Sequence, residues 1–140
     1  MGIGDLLSII THIKKWVVNL RRAKAARKNQ SIDALKAVVL AVRETTFYLR
    51  EIRDQDEQSI ETEKKLTRLW TELSFEVANL KLEKLRKSCK ELGKFWSDPK
   101  IYSFNKIKDS FQEREKDFEF LRKRLQDIER SAEDILKKLI

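Results

Sequence analysis

Cysteine, proline, glycine and histidine are nearly missing from this chain: one, one, three and one among 140 residues. A single cysteine, Cys89, closes no intrachain disulfide, so nothing in the sequence asks for an oxidising compartment. One Cys and one His cannot supply a Cys/His zinc site, nor the paired Glu-x-x-His sets of a ferritin-like di-metal centre. A Gly-rich phosphate loop is excluded too, because Gly2 and Gly4 precede the first helical pattern and Gly93 stands alone. Long hydrophobic runs are also missing. The longest uncharged stretch, Leu6 to Ile13 with His12 neutral, has eight residues, against about 20 for a membrane span. The start, "MGIGDLLSII", lacks the basic opening of a secretory signal, and Leu6 stands where a myristoylation signal carries Ser or Thr. These absences lead to the expectation of a cytoplasmic chain, peripheral to membranes at most.

What remains is 41% hydrophobic and 39% charged, with a net charge of +8. That apolar share is too high for disorder, and the scarcity of chain breakers favours long helices. A chain of this length makes one domain burying about two-thirds of its unfolded surface.

Apolar residues recur three and four apart along four segments. Ile3, Leu6, Ile10, Ile13, Val17 and Leu20 mark the first; Ile32, Leu35, Val39, Val42, Thr46 and Leu49 the second. The third carries two seams, Leu66, Trp70, Leu73, Val77, Leu80 and then Leu82, Leu85, Cys89, Leu92, Trp96, so its contact face rotates, or the helix bends, near residue 81. The fourth runs from Phe104 to Leu139 with only Arg114 breaking its stripe. The expectation is an all-α, antiparallel up-down-up-down four-helix bundle with coiled-coil-like packing. One domain fills residues 1–140, with helices at about 3–28, 31–55, 59–96 and 103–139. Ser31 is expected to cap the second helix, and Pro99 marks the clearest turn. Between Glu51 and Glu63 the turn rests on polarity, with Asp56 or Ser59 as its cap; without it the second and third helices merge into one rod. The third and fourth helices, some ten residues longer than the others, would overhang them by about 15 Å.

Enzymatic chemistry finds no support. His12 reads as a half-exposed residue between Ile9 and Trp16, Cys89 as a small core residue. Glu113 and Asp117, flanked by Arg114 and Lys116, read as salt-bridged surface. No cofactor and no small-molecule substrate is expected.

Binding is the alternative, and two faces suggest it. "RRAKAARK", residues 21–28, holds five basic residues and no acid. In a four-helix topology residues 21–36 and 81–108 form one end, with 15 basic against four acidic residues, and the other end has four against 11. Arg21, Arg22, Lys24, Arg27, Lys28, Lys84, Arg86, Lys87, Lys90 and Lys94 are the candidates for holding nucleic acid or another polyanion. Phe95, Trp96, Tyr102 and Phe104 cluster near that end, either to stack on bases or to plug the Pro99 turn. The second face is apolar. Leu7, Ile9, Trp16 and Val18 widen the first helix beyond its seam, and Val38, Leu40, Phe47 and Tyr48 widen the second. A homo-oligomer interface, a protein partner or an anionic membrane surface anchored by Trp16 would cover them. Of the two, the helical interaction module is preferred, because wide apolar faces need covering while charge is satisfied by water. "EKKLTRLWTELS", residues 63–74, resembles a stretch in the four-helix killer bundles of mixed-lineage-kinase-like pseudokinases, a resemblance that implies membrane activity.

Overall fold

A computed structural model describes residues 3–55 and 57–139. Among these residues the chain is all-α, with seven helices and no strand: α1 (Ile3–Arg21), α2 (Ala25–Gln30), α3 (Ile32–Asp54), α4 (Ile60–Asn79), α5 (Glu83–Ser97), α6 (Phe104–Glu113) and α7 (Glu115–Leu139). The expected four long helices are corrected to five passes, because the third one folds back on itself.

The reversal lies at Leu80–Leu82. Lys81 takes the left-handed conformation (φ 61°), its N–H bonds to the Ala78 carbonyl, and the Leu82 N–H reaches the Val77 carbonyl. This is a Schellman stop with lysine where glycine is usual, and Leu80 and Leu82 on either side of it pack against the core. The two seams of the expected third helix therefore belong to two antiparallel helices. They press together at Gly93, where an added Cβ would lie 2.7 Å from Thr71 Oγ1 and 3.3 Å from the Thr67 carbonyl oxygen. With α4 and α5 side by side, the expected overhang disappears.

Three other boundaries are refined. The turn after α3 forms as expected, and Ser59 caps α4 by accepting from the Thr62 N–H; Asp56 lies outside the described residues. The first helix stops at Arg21, not near residue 28, and the short α2 buries none of its side chains, so no apolar contact holds the chain straight there. Ser31 does not cap α3. Its hydroxyl donates backwards to the Arg27 carbonyl. The last segment breaks at Arg114 (φ −133°, ψ 80°), which leaves the guanidinium in solvent while Phe111 and Phe118 meet edge to face at 5.4 Å. A continuous helix would have turned that charge inward.

Side-chain pairs set the directions. Tyr48 meets Glu63 and Thr45 meets Trp70, so α3 and α4 are antiparallel. Arg43 reaches Glu129 and Glu133 while Arg53 reaches Glu119, so α3 and α7 are antiparallel as well. Thr11 meets Arg124 and Lys14 meets Asp127, which makes α1 and α7 a parallel pair. Around the molecule α1 adjoins α5 and α7, α7 adjoins α3, α3 adjoins α4, and α4 adjoins α5, closing a ring of five passes. Arg21, Ile32, Asn79, Glu83 and Leu139 thus lie at one end, the head; Ile3, Asp54, Ile60, Ser97 and Glu115 lie at the other, the foot.

This ring explains the wide apolar faces. α1 lies between two neighbours, so Ile9 joins Leu6, Ile10, Ile13 and Val17 in the core. α3 does likewise, burying Val38 and Tyr48 beside Leu35, Val42 and Leu49.

Candidate functional site

Five passes redistribute the charge. Lys94, Lys100, Lys106 and Lys108 leave the expected basic end for the lower half of the molecule, and the C-terminal segment joins the head. The head, taken as residues 21–36, 76–90 and 131–139, holds 13 basic against five acidic residues, a surplus equal to the whole net charge of +8.

Within it lies a cleft of about 410 Å³ lined by Val18, Arg21, Arg22, Lys28, Asp134, Ile135 and Lys138. Four cations and one carboxylate bound a single hollow between α1, α2 and α7. Arg21 closes α1, and Arg27 and Lys28 stand in the last turn of α2, where cations offset the helix dipole. A four-pass topology would put Lys138 at the end opposite RRAKAARK. An odd number of passes brings it to RRAKAARK, and the only sequence signal for that was the shifted seam near residue 81.

The other polyanion candidates do not line the cleft. Lys24, just before α2, and Arg27, within it, are exposed. Lys84, Arg86 and Lys87 stand at the start of α5, the helix end whose dipole favours anions and repels cations. Glu83 relieves one of them, accepting from Arg86 at 2.8 Å. Lys90 follows a turn later, and Lys94 lies nearest the foot.

Of the two readings of the aromatic group, the plug is the one the structure bears out, and the group's place at the basic end is corrected. Phe95, Trp96, Tyr102 and Phe104 are buried at the foot, far from the basic cleft; the first three cluster with Tyr48, their paired ring centroids 4.9–5.7 Å apart. They plug the Pro99 turn and offer no face for a base. Among the interface candidates, Ile9 (8% exposed) and Tyr48 (1%) are core residues and present no surface. Leu7 and Trp16 are half-buried against the core, as a helix with two neighbours requires, and Val18 lines the basic cleft. Phe47 stays exposed, as does Leu40 seven residues earlier on α3.

The foot holds a polar network that sequence reasoning missed. Tyr48 Oη donates to Glu63 at 2.5 Å and accepts from the Ser59 N–H, while Gln58 Nε2 donates to Glu63 at 2.9 Å. Burial, reinforced by the Glu63 contact, pushes the Tyr48 phenol well above its ordinary range. Thr45 Oγ1 accepts from Trp70 Nε1 at 3.0 Å. Heptad spacing could not show these contacts, because they join residues on different helices.

His12 Nδ1 lies 2.8 Å from Ser88 Oγ across α1 and α5. Both are mid-helix, where backbone N–H groups are already bonded within the helix. Burial pushes the Cys89 thiol up to about 12, which keeps it protonated and unreactive at neutral pH. No group of three His, Cys, Asp or Glu among the described residues could hold a metal ion. No described helix is long and apolar enough to cross a membrane. No protein-family model, curated protein or solved structure matches the chain.

Proposed function

We propose that this chain is a non-enzymatic binding module that holds a phosphate-rich polymer, single-stranded nucleic acid first, at its head. The carrying observation is the cleft in which Arg21, Arg22, Lys28 and Lys138 converge with one carboxylate. Dipole compensation accounts for cations ending α1 and α2, but not for Lys84, Arg86 and Lys87 at the start of α5. The preference between the two binding classes reverses here: apart from Leu40 and Phe47, the wide apolar faces of α1 and α3 are largely covered within the ring, while the head carries 13 basic against five acidic residues. Phosphate binding releases condensed counterions, so affinity falls with salt, by about 0.7 per contact in the log–log slope for single strands.

The test is a titration with labelled single-stranded oligonucleotide over a range of salt. Replacing Arg21, Arg22, Lys28 and Lys138 by Glu should abolish binding. Lys138→Ala alone should lower the slope by about one contact's worth. Equal affinity of the reversed protein sinks the proposal.

A second reading rests on Leu40 and Phe47, 51% and 48% exposed and seven residues apart on α3. This apolar pair is the remaining support for self-association or a protein partner. A concentration-independent monomer in sedimentation, unchanged by Phe47→Ser, removes self-association.

A further inference from the structure

A smaller hollow lies at the foot, at the other end from the basic cleft. One stripe of α4, Ile60, Glu63, Lys64 and Thr67, forms one wall; Trp96 and Ser97 at the end of α5 form the other. Its volume of about 290 Å³ falls at the lower edge of the ~300–1,000 Å³ typical of small-molecule sites.

The chemistry of this wall is unbalanced. Glu63, 4% exposed, is the one buried charged side chain among the described residues. Its hydrogen bonds come from the neutral groups of Tyr48 and Gln58, and no cation pairs with it among the described residues. Buried charges are ordinarily paired or bound to metal. No cluster of three ligating side chains among the described residues accompanies Glu63, and an organic cation entering the hollow would supply a counter-charge. Two more groups are unmet: Trp96 Nε1 and Thr67 Oγ1, on residues lining the same hollow, are buried without a hydrogen-bond partner. Trp96 Nε1 can only donate, so it calls for an acceptor on the ligand. Exposed Lys64 adds a positive charge on the same wall.

A buried carboxylate, an exposed ammonium and an unused N–H donor on residues lining one hollow match a zwitterion. We propose that this hollow binds a free α-amino acid with a branched aliphatic side chain. The ammonium pairs with Glu63, the carboxylate takes the Trp96 N–H and the Lys64 charge, a rotation of Thr67 adds its hydroxyl, and the side chain lies along Ile60. The proposal is independent of the head cleft, and it replaces the expectation that small molecules play no part.

The three tryptophans make the test direct. Each gives its own indole N–H signal in ¹⁵N-labelled protein, and Trp70 Nε1, already bonded to Thr45 Oγ1, is an internal control. The intact chain is titrated with L-leucine, with 3-methylbutylamine (no carboxylate) and with 4-methylpentanoate (no ammonium). L-leucine should shift the Trp96 signal saturably and leave Trp70 in place. The amine should bind at least about tenfold more weakly, the loss of one charge-assisted contact, and the acid should not bind. Glu63→Gln should abolish the response. Because that change touches the Tyr48 network, Ile60→Phe provides a second block: Ile60 is 55% exposed, so filling the rim should remove binding without moving the unfolding midpoint. Three outcomes overturn the proposal: an unmoved Trp96 signal, equal shifts at all three indoles, or an undiminished leucine response in folded Ile60→Phe.

Discussion

The head carries 13 cations, four of them lining an open cleft; at the foot, one carboxylate is buried with two hydrogen-bonding neighbours near a cluster of aromatic rings. Surface charge is inexpensive because solvent screens it, so the head can accumulate lysine and arginine with little effect on folding. A buried carboxylate instead needs dedicated donors, and each donor becomes part of the fold. Substitutions in the head cleft should therefore change ligand binding without stability, while substitutions among the buried aromatic and carboxylate groups of the foot should change stability itself.

The sharpest break of that contrast is Trp96→Ala. It empties the centre of the foot cluster and should cost about 3–5 kcal/mol, read as a lower denaturant midpoint at constant m-value. Next comes Tyr48→Phe, which takes a donor from Glu63 and an acceptor from the Ser59 N–H, and should cost about 1–3 kcal/mol. Tyr48 also predicts a pH effect. Its phenol is raised above its unfolded value of about 10, so its contribution is intact below pH ~10 and is lost as pH rises above it; Tyr48→Phe should flatten that alkaline loss in a set of melting curves. At the head, Lys81→Gly should raise stability by about 0.5–1 kcal/mol, since glycine accepts the left-handed backbone without a Cβ clash. Smallest of all, reversing Arg21 and Arg22 to Glu should move stability by no more than about 0.5 kcal/mol while weakening oligonucleotide binding. If that reversal unfolds the protein, the two ends do not differ as described.

How far the sequence could be read follows from where its information lies. Helix class and core positions were legible because apolar spacing is local: Leu6, Ile10, Leu35, Leu66, Leu121 and Ile128 are all buried. The turn before Ser59 was legible as well, through polarity and a capping residue. Lys81 was not, because a lysine in the left-handed region carries no glycine-like mark; only the slipped seam recorded the reversal, and a slipped seam is equally the sign of a bend. That one residue reverses the direction of everything after it, so Lys138 moved ends and the aromatic group left the basic region. RRAKAARK shares its cleft with Lys138 at the end of α7, not with the segment around Lys94. The Glu63 network was beyond reach because hydrogen bonds among helices have no period.

The parallel pairing of α1 with α7 has a mechanical consequence. A bundle whose first and last passes run in opposite directions peels apart one helix at a time when its ends are pulled. Here Ile3 and Leu139 leave from opposite poles of adjacent, co-directional rods. Tension between them slides the rods lengthwise, loading the Thr11–Arg124 and Lys14–Asp127 crosslinks together, so resistance is shared along the whole seam and failure should come as a single event.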